Sequence, residues 1–258
     1  MQMWHNIFDS HAHYDDEAFD ADREELLAAL PEKGICHVVN CGADLTSSRQ
    51  AIALAEQYSY FSAAVGIHPE EVKNVPPNWE EQLEPLLSNP HIVAVGEIGL
   101  DYHFKENAPR QVQQEVFEHQ IVLAKKHGLP VIVHDRDAHG DTMDLLRRHQ
   151  PNGVIHCFSG SVEMAAEAVR LGLYVGIGGS VTFKNARVPV EVVKSLPRDR
   201  IVLETDCPYL APVPCRGKRN DSSLIPYVAK KIAEIRGENP QDVLDYAKEN
   251  AQALFRIS

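Results

Sequence analysis

Residues 7–13 read Ile7-Phe8-Asp9-Ser10-His11-Ala12-His13, a short apolar run that ends in two histidines spaced two apart. In a strand the side chains alternate faces, so Asp9, His11 and His13 are expected on one face at the strand's end. Two imidazoles side by side suit a borderline divalent metal, and the carboxylate is placed to orient one of them. Seven more apolar, β-branched runs follow, at residues 35–41, 61–67, 92–97, 131–134, 154–158, 173–177 and 201–206. They are continuous rather than alternating, as expected of strands buried on both faces of a parallel sheet.

Stretches of helical periodicity lie between them, for example at 22–30, 48–57, 110–127, 141–149, 162–171 and 190–196. Gly34, Gly128 and Gly172 stand where such helices should stop. Strand and helix alternating eight times within one chain of 258 residues predicts an α/β fold, a (β/α)8 TIM-type barrel. Residues 224–236 and 240–255 read as two extra C-terminal helices, with Pro240 suited to a first turn. No linker or repeat divides the chain, so residues 1–258 are expected to form a single domain. A doubly wound sheet is the alternative, disfavoured because no GxGxxG turn follows the first run.

A hydrophobic fraction of 44% and a charged fraction of 24% are those of an ordinary globular chain. No apolar stretch is long enough for a membrane span, and the start lacks the basic and apolar regions of a secretory leader. Five cysteines without a CxxC pair suit a reducing compartment, and the expected location is cytoplasmic. The net charge of −12 argues against a broad nucleic-acid-binding surface, though not against a cleft with its own cations.

Functional groups of such a barrel lie at the C-terminal ends of its strands. Here the runs end in His11 and His13, then His68, Glu97, His134, His156 and Asp206. Taken singly each has a bland reading: a structural histidine, a turn carboxylate, or for Asp206 a helix cap before Cys207-Pro208. Their coincidence at matching ends is what points to chemistry. Leaving His68 aside, four imidazoles and two carboxylates exceed the needs of one tetrahedral ion, so two divalent ions sharing a carboxylate are expected. Glu97 is the expected bridge, with His11, His13 and Asp206 on one ion and His134 and His156 on the other. Zinc, manganese or nickel suit such ligands, magnesium less comfortably. His119, His127 and His149 read as ordinary helix residues.

The segments at 8–13, 66–69, 95–101, 132–136, 156–160 and 203–208, with the tail 214–220, together resemble the TatD family of metal-dependent deoxyribonucleases, within the amidohydrolase superfamily. The resemblance implies divalent-metal-dependent DNA hydrolysis, often from the 3′ end, with Glu97 where many amidohydrolases carry a carboxylated lysine. Two departures bear on substrate preference: Cys215 stands where relatives commonly have histidine, and Asp221-Ser222 replaces a Glu-Pro pair.

The expected partners are DNA ends, single-stranded, with no membrane. Asp206 is read as metal ligand and general base, and His68 as a donor to a phosphate or leaving oxygen. Glu204, two residues before Asp206 and so on its strand face, is read as support, or as merely buried. Arg136, Arg216 and Lys218 are candidate phosphate contacts, and Tyr102, His103 and Phe104 candidates to grip a terminal base. The alternatives are hydrolysis of an ester, lactone, amide or aminoacyl-tRNA bond at the same centre, or a barrel that binds metal or protein without catalysis.

Overall fold

The structure is a computed structural model that describes residues 4–257; of the opening read above for a leader, residues 1–3 lie outside it. Eight strands lie side by side in chain order: β1 (Ile7–Ala12), β2 (Ile35–Cys41), β3 (Phe61–Val65), β4 (Ile92–Asp101), β5 (Val131–Arg136), β6 (Gly153–Ile155), β7 (Tyr174–Ile177) and β8 (Ile201–Leu203). Every neighbouring pair is parallel. Helices α1 (Arg23–Ala29), α2 (Leu45–Gln57), α3 (Trp79–Leu83), α4 (Arg110–His127), α5 (His139–His149), α6 (Val162–Arg170) and α7 (Arg187–Ser195) fill the crossovers, and α8 (Ile225–Arg236) and α9 (Pro240–Phe255) follow the last strand. Among the described residues no helix is long and apolar enough to cross a membrane.

The strands carry apolar residues on both faces. Ile7, Val38 and Val95 pack toward the helices, while their neighbours Phe8, Val39 and Ala94 meet Ile132, Val154 and Val202 in a separate inner cluster. Leu254 and Phe255 of α9 belong to that inner cluster, with the Phe255 ring stacked 6.2 Å from Phe8. The sequence therefore fills the barrel from its own strands and seals its base with its last helix.

Strands β1 and β8 close the ring through a seam that is poor in backbone pairing. One bridge joins Ala12 to Cys207, flanked by Asp206 N–H donating to His11 O at 3.0 Å and His13 N–H to Cys207 O at 2.9 Å. Side chains complete it. Asp9 accepts from the Thr205 N–H at 3.0 Å, the Thr205 hydroxyl at 2.6 Å and the Ser222 hydroxyl at 2.7 Å.

Strands β6 and β8 stop earlier than expected, because Cys157 and Asp206 take left-handed backbone at φ 43° and 57° and turn the chain out of the sheet. Strand β4 instead runs on to Asp101. Helix α2 begins at Leu45 because Asp44 caps the N–H groups of Thr46 and Ser47. Helix α3, which the sequence reading did not anticipate, is only five residues long and too short for periodicity to register.

Candidate metal centre

The strand ends deliver His11, His13, His68, Glu97, His134, His156 and Asp206 to one place. Glu97 lies at its centre. Between Val95 and Ile98, β4 takes three residues to cover what β5 covers in two, an irregularity that re-aims the chain at Glu97. Its Oε1 is 2.7 Å from His156 Nε2, 2.8 Å from His134 Nδ1 and 3.3 Å from His68 Nε2. Its Oε2 is 3.2 Å from His11 Nε2 and 3.5 Å from His13 Nε2. Asp206 Oδ1 lies 3.4 Å from His13 Nε2 and 3.7 Å from His11 Nε2.

These contacts make three ligand-grade groups: His11-His13-Asp206, His11-Glu97-His156 and His68-Glu97-His134. The ring nitrogens also face each other, at 3.0 Å between the Nε2 atoms of His11 and His13 and 3.4 Å between His156 Nε2 and His134 Nδ1. His13 Nδ1 lies 2.8 Å from Cys41 O, an atom that can only accept, so Nδ1 carries a proton and Nε2 is the nitrogen available to a cation. His134 Nε2 lies 3.1 Å from Asp101 Oδ2, which in the same way leaves Nδ1 for the centre. Converging lone pairs and carboxylates are a donor set that a divalent cation satisfies.

Asp101 escaped the sequence reading as a functional residue. It is fully buried and takes the N–H of His103 at 2.9 Å on its other oxygen. It lies four residues after Glu97, beyond the expected end of the run at 97, on a strand that continues to Asp101 and so keeps the two acids on one face. Gly99 between them, at φ 149°, is required because a Cβ there would collide with the His134 carbonyl. That close approach brings β4 onto β5 where both acids meet His134.

Electrostatics favour ionised acids. Burial resists charge on Glu97, but His156, His68 and His11 outweigh it and hold the carboxyl well below its usual range. Asp206 is lowered likewise, burial being overcome by His13, His156 and His11. Burial also opposes protonation of His13 and His134, yet Asp206 and Glu97 raise the first, and Asp101 and Glu97 the second, to about 10. Burial and His156 lower His11 to about 4.

Three readings change. Asp9 does not reach an imidazole; it takes the N–H of His11 at 3.3 Å and otherwise braces the seam, because β1 ends at Ala12 and its register shifts after Asp9. Glu204 is not on a common face with Asp206, because β8 ends at Leu203. It accepts the Cys157 N–H, lies 3.8 Å from His156 Nδ1, and burial pushes its carboxyl to about 8. Tyr102 is not free to grip a base: its hydroxyl is held by Asp141 and Gln114 at 2.8 and 2.9 Å, and Arg110 covers its ring at 4.3 Å.

His68 sits among the ligands rather than apart from them, but its Nδ1 accepts the Glu70 N–H at 3.2 Å, which puts the proton on Nε2. Of the proposed phosphate contacts, Arg136 lies over Phe104 at 4.8 Å and Arg216 over Phe183 at 4.3 Å, and Lys218 is exposed. His119, His127 and His149 pair with the surface acids Glu80, Glu84 and Glu118.

A family profile described as TatD related DNase matches residues 8–256. The chain belongs to the TatD family. A relative from Bacillus subtilis, an uncharacterized metal-dependent hydrolase named YabD, is 40% identical over 98% of this chain and 100% of its own length. A protein of Edwardsiella piscicida named 3′-5′ ssDNA/RNA exonuclease TatD is 35% identical over 93% of this chain and 95% of its own. The crystal structure of YJJV from Escherichia coli, described as a TatD homolog, matches with a TM-score of 0.92 at 31% identity, covering 98% of this chain and 99% of that one. The chain is a metal-dependent hydrolase acting on ester bonds. Of the two departures from the TatD pattern, Ser222 lies at the seam, bonded to Asp9 and, at 2.7 Å, to the Tyr14 hydroxyl.

Proposed function

We propose that this protein is an exodeoxyribonuclease that removes nucleotides from single-stranded DNA ends in the 3′-to-5′ direction, using two divalent ions and a water nucleophile, in the cytoplasm. The observation that carries this reading is Glu97, whose two oxygens are divided between separate sets of imidazoles. His11, His13 and Asp206 would hold one ion, His134 and His156 the other, and Glu97 would bridge them. When bound, such ions lower the pKa of water and neutralise the charge of a phosphodiester. The relatives named 3′-5′ ssDNA/RNA exonuclease support the substrate and polarity. The five free cysteines support a reducing location.

The chain's own residues divide the remaining work. Asp206, held ionised by the imidazoles around it, takes the proton of the attacking water at its carboxylate. His68 Nε2–H donates to the leaving oxygen or a phosphate oxygen. Asp101 and the Cys41 carbonyl keep His134 and His13 turned inward. Arg136 and Arg216, each placed over a phenylalanine ring, would supply guanidinium donors to phosphate.

Single-stranded DNA labelled at either end, digested with and without a chelator, tests the proposal; chelation should stop the reaction, and the 3′ label should be released first. Glu97→Ala and Asp206→Ala should abolish turnover while the barrel still folds by circular dichroism. Preferential cleavage of simple esters or lactones over DNA would overturn the nuclease reading.

A further inference from the structure

One wall of the barrel mouth has no part in the centre described above. A cleft of about 920 Å3 opens beside the loop that follows Asp206, lined among others by Phe183, Tyr209, Arg216 and Lys218 and by the acids Asp16, Glu17 and Asp20. Six large hydrophobic residues are exposed among the described residues, and three of them, Tyr209, Leu210 and Val213, lie within this one loop. Such clustering marks a binding surface, whereas single exposed apolar residues do not.

Tyr209 is exposed by 55% yet held at both ends. Its N–H bonds to Asp206 O at 2.9 Å, its carbonyl takes the Asn220 side chain at 2.7 Å, and its hydroxyl donates to Asp16 Oδ2 at 2.8 Å. The ring is thus fixed in place with its side open to solvent, only three residues from Asp206. Behind it Arg216 lies on Phe183. Among the described residues no acid is within ion-pair distance of Arg216 or Lys218, whereas Arg219 is taken up by Asp22 at 2.6 Å. On a chain of net charge −12, two uncommitted cations beside a rigid aromatic face match a segment that offers both bases and phosphates.

We propose that Tyr209, with Leu210 and the Arg216-Phe183 stack behind it, is the base-stacking platform that seats a nucleotide of the single strand next to the scissile bond. The proposal rests on the nuclease reading and names the residue that sets its KM. Stacking on one aromatic ring is sequence-tolerant, since every base has a π-face.

The test is steady-state kinetics of the metal-loaded wild type, Tyr209→Phe and Tyr209→Ala on a short single-stranded oligonucleotide and on versions with one abasic site at each of the last three positions. Bound metal is measured for every variant. Tyr209→Ala should raise KM by roughly five- to a hundredfold at similar kcat, as expected for one lost stacking contact. Tyr209→Phe, which keeps the ring and loses only the bond to Asp16, should raise KM less than Tyr209→Ala does. One abasic position should raise the wild-type KM alike and leave Tyr209→Ala with no further penalty. An unchanged KM in Tyr209→Ala, a loss confined to kcat, a loss of metal, or a penalty independent of the abasic site would each overturn the platform while leaving the nuclease reading in place. A wild type that cleaves no oligonucleotide would remove the nuclease reading, and the platform with it.

Discussion

The carboxylate of Asp101 does for His134 what the Cys41 carbonyl does for His13: it decides which ring nitrogen faces Glu97. Removing its charge with Asp101→Asn should weaken metal binding by roughly 10- to 100-fold, the usual effect of losing such an outer partner, and lower the stability of the metal-free barrel, which loses the partner of a protonated His134. Metal titration followed by thermal melting of the metal-free protein checks both halves. Away from the centre, His37 stacks on Phe8 and bonds to Ser62 at 2.9 Å, and burial lowers its imidazole to about 4. The unfolded chain protonates this ring near pH 6.5 and the folded one only near 4, so stability is expected to fall on acidification through that window. At pH 5 the loss is about 2 kcal/mol. Urea unfolding at pH 7 and pH 5 should show it, and His37→Gln should reduce the difference, leaving the share of His11, which is lowered likewise.

Among the elements, α9 has the clearest energetic role. Phe255 is 3% exposed and packs into the inner cluster, so Phe255→Ala should cost about 3–5 kcal/mol, read from chemical denaturation. Its bounds, 240–255, were legible in the sequence, where Pro240 marks the start; the structure adds Asn239 as its cap. The eight strands were legible for a similar reason, each being a compact apolar run. What the sequence hid lies at strand ends. Period-two reasoning put Glu204 beside Asp206 and Asp9 beside His11, but β8 stops at Leu203 before the alternation can be applied, the register of β1 shifts between Asp9 and Ala12, and left-handed backbone at Asp206 redirects its carboxylate. Asp101 was hidden by the opposite effect, a strand that continues past its expected end. Tyr209 and Phe183 carry no periodic signal at all, since they sit in loops that tertiary contacts place together.

At the scale of the molecule, a net charge of −12 leaves DNA only a few local cations to meet. With Arg136, Arg216 and Lys218 as the contacts, the logarithm of affinity should fall with the logarithm of salt at a slope of about −2, following about −0.7 per neutralised phosphate of a single strand. A much steeper slope would mean a footprint larger than the mouth of the barrel. Metal uptake should also release at least two protons per chain at pH 7, since the acids of the centre raise His13, His134 and His156 in the metal-free state. Calorimetry in buffers of different ionisation enthalpy reads that number.

The junction of β1 with β8 holds only one strand-like bridge, yet His11 and His13 stand on one side of it and Asp206 on the other. A cation gripped by all three would rivet the ring at its weakest joint, coupling catalytic competence to mechanical integrity. Stripped of metal, the protein should exchange amide protons fastest around residues 11–13 and 205–207, and a chelator would then act as a lever that opens the hoop as well as a poison of its chemistry.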